Sequence, residues 1–254
     1  MAANGFSDIQ LCEGKDSWKY RVFLHSNEDC QEETLQMLSE KPVAGNTAVG
    51  VSGFFLLDAV AARSDKGSST IENIVLIDCS LRIEHFWKEM ERIMGESSVR
   101  MEVIDKVRGL LENEKERYFC GSSCRDPAEV AKSEVAHFDK GVTEGRSWLS
   151  KDENFEKIKK IFDAKKFVFL RMDLVDTSSI GVLCEVLKSQ SLSVDMLYAS
   201  NVTDLRYVRS FANLRVLEAN LEQLSTPETL CIRSKLFLSR LTQHVSQKSL
   251  SKTD

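Results

Sequence analysis

The sequence predicts an α/β protein with a Rossmann-like, mostly parallel sheet flanked by helices. Three observations support this fold class. Short apolar, β-branched runs alternate with helical patterns of roughly 10–15 residues, as in βαβ units. Only three of the 254 residues are proline, and none of them interrupts the alternating region. A glycine turn follows the first apolar run, and an aspartate follows the second.

Composition narrows the class of protein. The chain has 34 Lys and Arg against 39 Asp and Glu, a net charge of −5, and 42% hydrophobic residues. This is typical of a globular protein, and the mild acidity argues against nucleic acid as the main partner. Seven cysteines without a repeated spacing favour a reduced, cytoplasmic compartment. No apolar run is long enough for a membrane span, and no apolar leader is evident at the start.

The chain divides into three predicted segments. Residues 1–44 form an N-terminal extension, with an edge strand near 20–24 and an acidic helix after it. Residues 45–245 form the α/β domain, in which a helical insertion over 97–147 is expected to cover the site. Residues 246–254 are polar, and we expect a disordered tail.

The first half of the domain predicts two strands, each followed by a helix. A small-residue strand and glycine turn over 47–53 lead into a buried helix over 54–62. Residues 74–77 form a continuous β-branched run, typical of a strand buried on both faces, and the run ends at Asp78. From Ser80, a suitable N-cap, a helix with one apolar stripe runs to about residue 94.

The second half continues the alternation with weaker signals. A capping box, Ser150 to Glu153, predicts a helix that begins there. Proline and glycines between 117 and 147 favour an insertion or lid over core structure. The remaining predicted elements are a helix over 98–116, strands over 167–170 and 194–199, helices over 179–187 and 203–211, and a β-prone segment over 230–233.

The carboxyl ends of the predicted strands carry the candidate cofactor-binding residues, because ligands of open parallel sheets bind at that edge. They are Gly50, Ser52, Gly53, Asp78, Cys79, Asp173, Leu174, Ser200 and Asn201. Glycines allow the backbone to approach a ligand closely, and Asp78 is spaced to accept hydrogen bonds from ribose hydroxyls. Asp173 could accept an adenine amine with Leu174 against the base. The alternatives are a turn that only packs and an aspartate that only caps a helix.

Several segments together carry a family resemblance. They are Val51-Ser52-Gly53, Ile77-Asp78 before Glu84-His85-Phe86-Trp87, Trp148 to Phe155, Met172-Asp173-Leu174 and Leu197 to Val202. The chain resembles, over about residues 45–235, a bacterial family with the class I S-adenosylmethionine methyltransferase-like fold. The resemblance implies an adenosyl cofactor over Gly50 to Gly53, with Asp78 on the ribose and Asp173-Leu174 at the adenine.

A second pattern supports a different transferase. His85 and Glu89 are four residues apart on one helix, off its apolar stripe, and Ser52 precedes them. This combination is similar to that of bacterial effector toxins that transfer AMP from ATP with Mg²⁺. The resemblance implies His85 as base or nucleophile, Glu89 as its orienting partner and Ser52 at the phosphates. Such an effector would modify a protein in a host cytosol. The simpler alternative is a solvated pair.

A third hypothesis is a nucleotide-binding or interaction module without catalysis. The first strand, residues 46–49, lacks the acidic residue that usually ends this strand in active methyltransferases. Cys120, Cys124 and His137 do not have the spacing of a zinc site, so we expect no bound metal.

Overall fold

The computed structural model describes residues 6, 9, 12, 22, 31–51, 53–63, 70–119, 126–200, 202, 210–237 and 240–247. The helices of this part of the chain are α1 (Gln31–Glu40), α2 (Phe55–Ala62), α3 (Leu81–Glu96), α4 (Arg100–Asn113), α5 (Lys115–Phe119), α6 (Pro127–Thr143), α7 (Asp152–Asp163), α8 (Thr177–Ser189) and α9 (Phe211–Gln223). The strands are β1 (Thr47–Val51), β2 (Asn73–Asp78), β3 (Phe167–Arg171), β4 (Val194–Ser200), β5 (Leu230–Phe237) and β6 (Arg240–Gln247). No helix among these residues is long and apolar enough to cross a membrane.

The strands form one sheet in the order β3-β2-β1-β4-β5-β6. The first five are parallel, and β6 pairs antiparallel with β5 at the edge. The chain moves outward from β1 to β3 and then returns to β4 on the other side of β1, so the strand order reverses between β1 and β4. The predicted fold class, a Rossmann-like and mostly parallel sheet, is confirmed. Its ligand crevice is expected at the carboxyl edge beside this reversal.

Two apolar clusters cover the two faces of the sheet. Side chains from α2 to α7 pack on the first face, and side chains from α8 and α9 pack on the second. Phe54 lies at the centre of the first cluster, with its ring centroid 5.8 Å from those of Phe86, Trp87 and Phe138 and 6.0 Å from that of Trp148. Because α3, α6 and the Trp148 turn all meet this ring, the inserted helices belong to the core.

Helix α3 matches its prediction closely. Its buried residues are Ile83, Phe86, Trp87, Met90, Ile93 and Met94, which form the predicted stripe. The Ser80 side chain accepts a hydrogen bond from the Ile83 amide at 3.3 Å, so the predicted N-cap is present.

The structure adds detail to other local predictions. Helix α7 begins after Lys151 without a side-chain cap, and the Ser150 hydroxyl has no hydrogen-bond partner among the described residues, so the predicted capping box does not form. The predicted helical insertion contains the 17-residue α6, which Asp126 caps and which begins at Pro127, a position where proline is favourable. The predicted helix over 203–211 lies mostly outside the described residues, and α9 begins at Phe211. Strand β6 extends to Gln247, two residues into the predicted tail.

Four isolated residues show where parts of the N-terminal extension lie. Phe6 and Ile9 are buried in the second-face cluster, and Val22 is buried in the first-face cluster. Between them, the Cys12 amide donates to the Arg171 carbonyl at 2.8 Å, and Arg171 Nε donates to the Cys12 carbonyl at 2.9 Å. The extension therefore contacts both faces and the β3 edge.

A buried ion pair lies at the amino-terminal edge of β4. The side chains of Arg63 and Asp195 are 0% exposed, and Arg63 Nε and Nη2 donate to the two Asp195 oxygens at 2.9 Å. The remaining guanidinium hydrogens meet the carbonyls of Leu38, Lys41 and Pro42, each at 2.7 Å. All five donors are used, so this one side chain joins the end of α1, the end of α2 and the sheet.

Gly45 lies directly against this ion pair, and we expect Gly45→Ala to lower the free energy of unfolding by about 1–3 kcal/mol. An added Cβ would lie 2.5 Å from the Ser193 carbonyl oxygen and 2.6 Å from the Asp195 amide nitrogen, so backbone would have to move. Urea denaturation measures the change. In the control, Gly181→Ala within α8, nothing lies within 4 Å of the new Cβ, and helix propensity should raise stability. A Gly45→Ala protein as stable as wild type would contradict this prediction.

Candidate functional site

Asp78 ends β2 at the carboxyl edge of the sheet. Val51, the last residue of β1, pairs with Ile77, so Asp78 lies one position beyond the end of its neighbour strand. Asp78 Oδ1 accepts a hydrogen bond from the Ser80 amide at 2.8 Å, and the Asp78 carbonyl accepts one from the Met172 amide at 3.1 Å. The half-buried carboxylate is thus fixed beside the exit of β1, where the sequence placed it. This bond from Ser80 closes a local turn, and the N-cap of α3 is Ser80 itself.

The glycine turn has two different requirements for glycine. Gly53 has φ = +94°, a backbone conformation that L side chains rarely adopt. Gly50 lies within β1, where an added Cβ would come 3.0 Å from the Tyr198 Cβ and 3.1 Å from both Leu56 methyl carbons. Close packing therefore favours glycine at 50. Ser52 lies outside the described residues.

The turn between β3 and α8 brings Asp173 and Leu174 to the same edge. Asp173 Oδ1 accepts a hydrogen bond from the Val175 amide at 3.2 Å, and the Asp173 carbonyl accepts one from the Asp176 amide at 2.9 Å. Asp176 then caps α8, and hydrogen bonds from Ser179 and its neighbour lower the pKa of this carboxyl. The turn is held in a defined shape.

Leu174 and Val202 cover the end of the sheet. Each packs against the apolar clusters of both faces, which the sheet itself separates. A side chain in contact with both clusters must lie beyond the ends of the strands. Leu174 and Val202 therefore give the carboxyl edge of the sheet an apolar surface.

The end of β4 places Ser200 at the same edge. Ser200 is buried and has φ = +47°, an uncommon conformation for a residue other than glycine. Such local strain occurs often at functional sites. Cys79 is half-buried beside Asp78, and Asn201 lies outside the described residues.

Arg171, at the end of β3, was missed by the sequence analysis. It pairs with Asp78 in the strand register, and its Nη1 donates to Glu84 Oε2 at 2.8 Å. Burial acts to raise the pKa of Glu84, but hydrogen bonds from Lys88 and Arg171 outweigh it and lower the pKa. The sequence signal that could have identified Arg171 is a charged residue at the end of an apolar strand.

His85 and Glu89 have separate partners. His85 Nδ1 lies 2.9 Å from the Tyr118 hydroxyl, and its Nε2 meets the Arg117 guanidinium. Glu89 pairs with Arg92 at 3.0 Å. Burial, and then the positive charge of Arg117, lower the pKa of His85. Neutral His85 with Nε2 as acceptor must donate through Nδ1, so Arg117 occupies the lone pair that a general base would use.

No group of three or more Cys, His, Asp and Glu side chains in the described part of the chain could hold a metal ion. Cys120 and Cys124 lie outside that part.

Comparison with protein families identifies the family of this chain. The model of one family, a domain of unknown function named DUF7790, matches residues 23–235. The chain belongs to the DUF7790 family. The matched part of this DUF7790 domain contains every residue of the carboxyl edge described above. No curated protein matches the sequence significantly.

Among solved structures, the DUF7790 domain is similar to the rRNA methyltransferase aviRa from Streptomyces viridochromogenes. The TM-score is 0.42 and the sequence identity 11%, over 92% of this chain and 84% of that chain.

Proposed function

We propose that the DUF7790 domain binds S-adenosylmethionine at the carboxyl edge of β1 and β2 and acts as a methyltransferase. One observation carries the proposal: Asp78 ends a parallel strand directly beside the exit of β1, and β1 exits through Gly53 in a left-handed conformation. A carboxylate at this point accepts hydrogen bonds from a ribose diol. The glycine turn lets a ligand approach the protein backbone closely.

The rest of the edge supports an adenosyl ligand. Asp173, at the neighbouring strand end, supplies an acceptor for an amine, and Leu174 with Val202 supplies an apolar surface. When bound, the cofactor supplies an electrophilic methyl carbon on a sulfonium. Asp78 would hold its ribose, and Asp173 with Leu174 would hold its adenine. The protein contributes position and electrostatics.

The test is isothermal titration with S-adenosylhomocysteine, the demethylated cofactor. We expect Asp78→Asn to weaken binding by about 10- to 100-fold, because hydrogen bonds to a charged acceptor contribute about 1.5–3 kcal/mol. Asp163→Asn is the matched control, because Asp163 ends α7 at the opposite edge of the sheet and pairs only with Lys159 in the described structure. Wild-type protein that does not bind S-adenosylhomocysteine would refute the proposal. Equal affinities of wild type and Asp78→Asn would refute the role of Asp78.

A non-catalytic module is the second candidate, and the composition of β1 favours it. The strand, Thr47–Val51, contains no acidic residue, so β1 contributes no carboxylate to the cofactor. For a module that keeps the fold but does not bind the cofactor, titration with S-adenosylhomocysteine would release no heat of binding. A parallel titration with ATP and Mg²⁺ tests AMP transfer, for which binding must be lost in His85→Ala.

A further inference from the structure

A buried amide on α9 contacts the edge of the site. Asn220 is 0% exposed, and its Nδ2 donates to the Leu174 carbonyl at 2.8 Å. Because a carbonyl can only accept, the amide orientation is fixed. Asn220 Oδ1 is consequently buried with no hydrogen-bond partner among the described residues.

This arrangement gives the fold little net stability. One hydrogen bond forms, but an acceptor loses its water and gains nothing in return, and the two effects are of similar size. An apolar side chain of the same volume would fill the space between α9 and the turn as well. What only the amide provides is a donor at a fixed point on Leu174.

That donor completes the anchoring of the turn between β3 and α8. The Met172 amide, bonded to the Asp78 carbonyl, fixes the side nearer β2. The bonds from the Val175 and Asp176 amides to Asp173 lie within the turn. The bond from Asn220 reaches Leu174 from a helix 46 residues away in sequence and ties the turn to the second face of the sheet.

We propose that Asn220 is a positioning residue, which holds the Asp173–Leu174 turn in the shape that distinguishes adenine from other purines. This inference rests on the proposed function. Adenine carries a 6-amino group, which donates to a carboxylate such as that of Asp173. Hypoxanthine carries a 6-oxo group, which a carboxylate repels. The discrimination requires that Asp173 be held at a fixed distance from the base, since a mobile turn would retreat from the oxo group.

The experiment compares S-adenosylhomocysteine with S-inosylhomocysteine, its deaminated analogue, by isothermal titration of the full chain. We expect wild type to prefer the adenine compound and Asn220→Leu to reduce that preference about tenfold. Asn220→Met, which also lacks a donor, should do the same. Glu218→Leu, exposed on the same helix, should keep the wild-type preference. Circular dichroism checks that each variant is folded.

Each outcome has a distinct meaning. A purely structural role for Asn220 would weaken both ligands equally and leave their ratio unchanged, which would overturn the inference. Wild type that binds both analogues equally would also overturn it, while the proposed function would stand. Wild type that binds neither would overturn both. If Asn220→Leu does not fold, the ratio measured for Asn220→Met decides.

Discussion

Replacing Arg63 with methionine should lower the free energy of unfolding by about 3–5 kcal/mol, the usual effect of removing one partner of a buried ion pair. The Asp195 carboxylate would remain without its counter-charge, and the carbonyls of Leu38, Lys41 and Pro42 would lose their donors. Urea denaturation followed by circular dichroism measures the change.

The double variant Arg63→Met/Asp195→Leu measures the interaction energy between these two side chains. Because it removes both charges, its loss should be clearly smaller than the sum of the two single losses. Arg108→Met provides the matched control, since Arg108 pairs with Asp105 and Asp139 at the surface and should change stability by less than about 1 kcal/mol. Additive losses at Arg63 and Asp195 would show that the two side chains do not act as a pair.

Stability should also depend on the protonation of Asp58 near neutral pH. Burial raises the pKa of Asp58 to about 7, although the Trp148 amide donates to its Oδ1 at 2.7 Å. In the unfolded chain the carboxyl returns to its ordinary pKa of 3.8. Between these values only the folded protein keeps the proton, so the contribution of Asp58 is greatest at low pH and is lost as pH rises through 7.

The measurement is the free energy of unfolding of wild type minus that of Asp58→Asn at pH 5 and at pH 8. We expect this difference to fall by about 3 kcal/mol between the two, since each unit of pKa shift corresponds to about 1.4 kcal/mol. Asp105→Asn, an exposed charge change on α4, serves as the control. A difference that does not vary with pH would contradict the raised pKa.

Local pattern accounts for much of the fold. The strands of the first βαβ unit and the stripe and cap of α3 follow from neighbouring residues, because burial on two faces and helical periodicity are properties of short windows. The ion pair of Arg63 and Asp195 spans 132 residues, so no window contains it. The bounds of α6 within the predicted helical insertion could not be given, because Pro127 and the glycines weaken the pattern, although proline is favourable at the first position of a helix.

In the candidate site too, some residues could be placed from the sequence and others could not. Asp78 and the Asp173–Leu174 turn could be placed because strand ends in a parallel sheet share one edge. Asn220 could not, because only the packing of α9 brings it to Leu174. Arg117, which contacts His85 from α5, could not be placed either, because the two helices meet through tertiary structure.

The position of Phe54 gives the molecule an internal spectroscopic reporter. Phe54 follows the glycine turn directly, and its ring meets those of Trp87 and Trp148. Both indoles are fully buried, and their N–H groups have no hydrogen-bond partner among the described residues, so little besides packing sets their emission. A ligand that shifts the turn moves the Phe54 ring between them. We therefore expect ligand binding at the carboxyl edge to change the intrinsic tryptophan fluorescence.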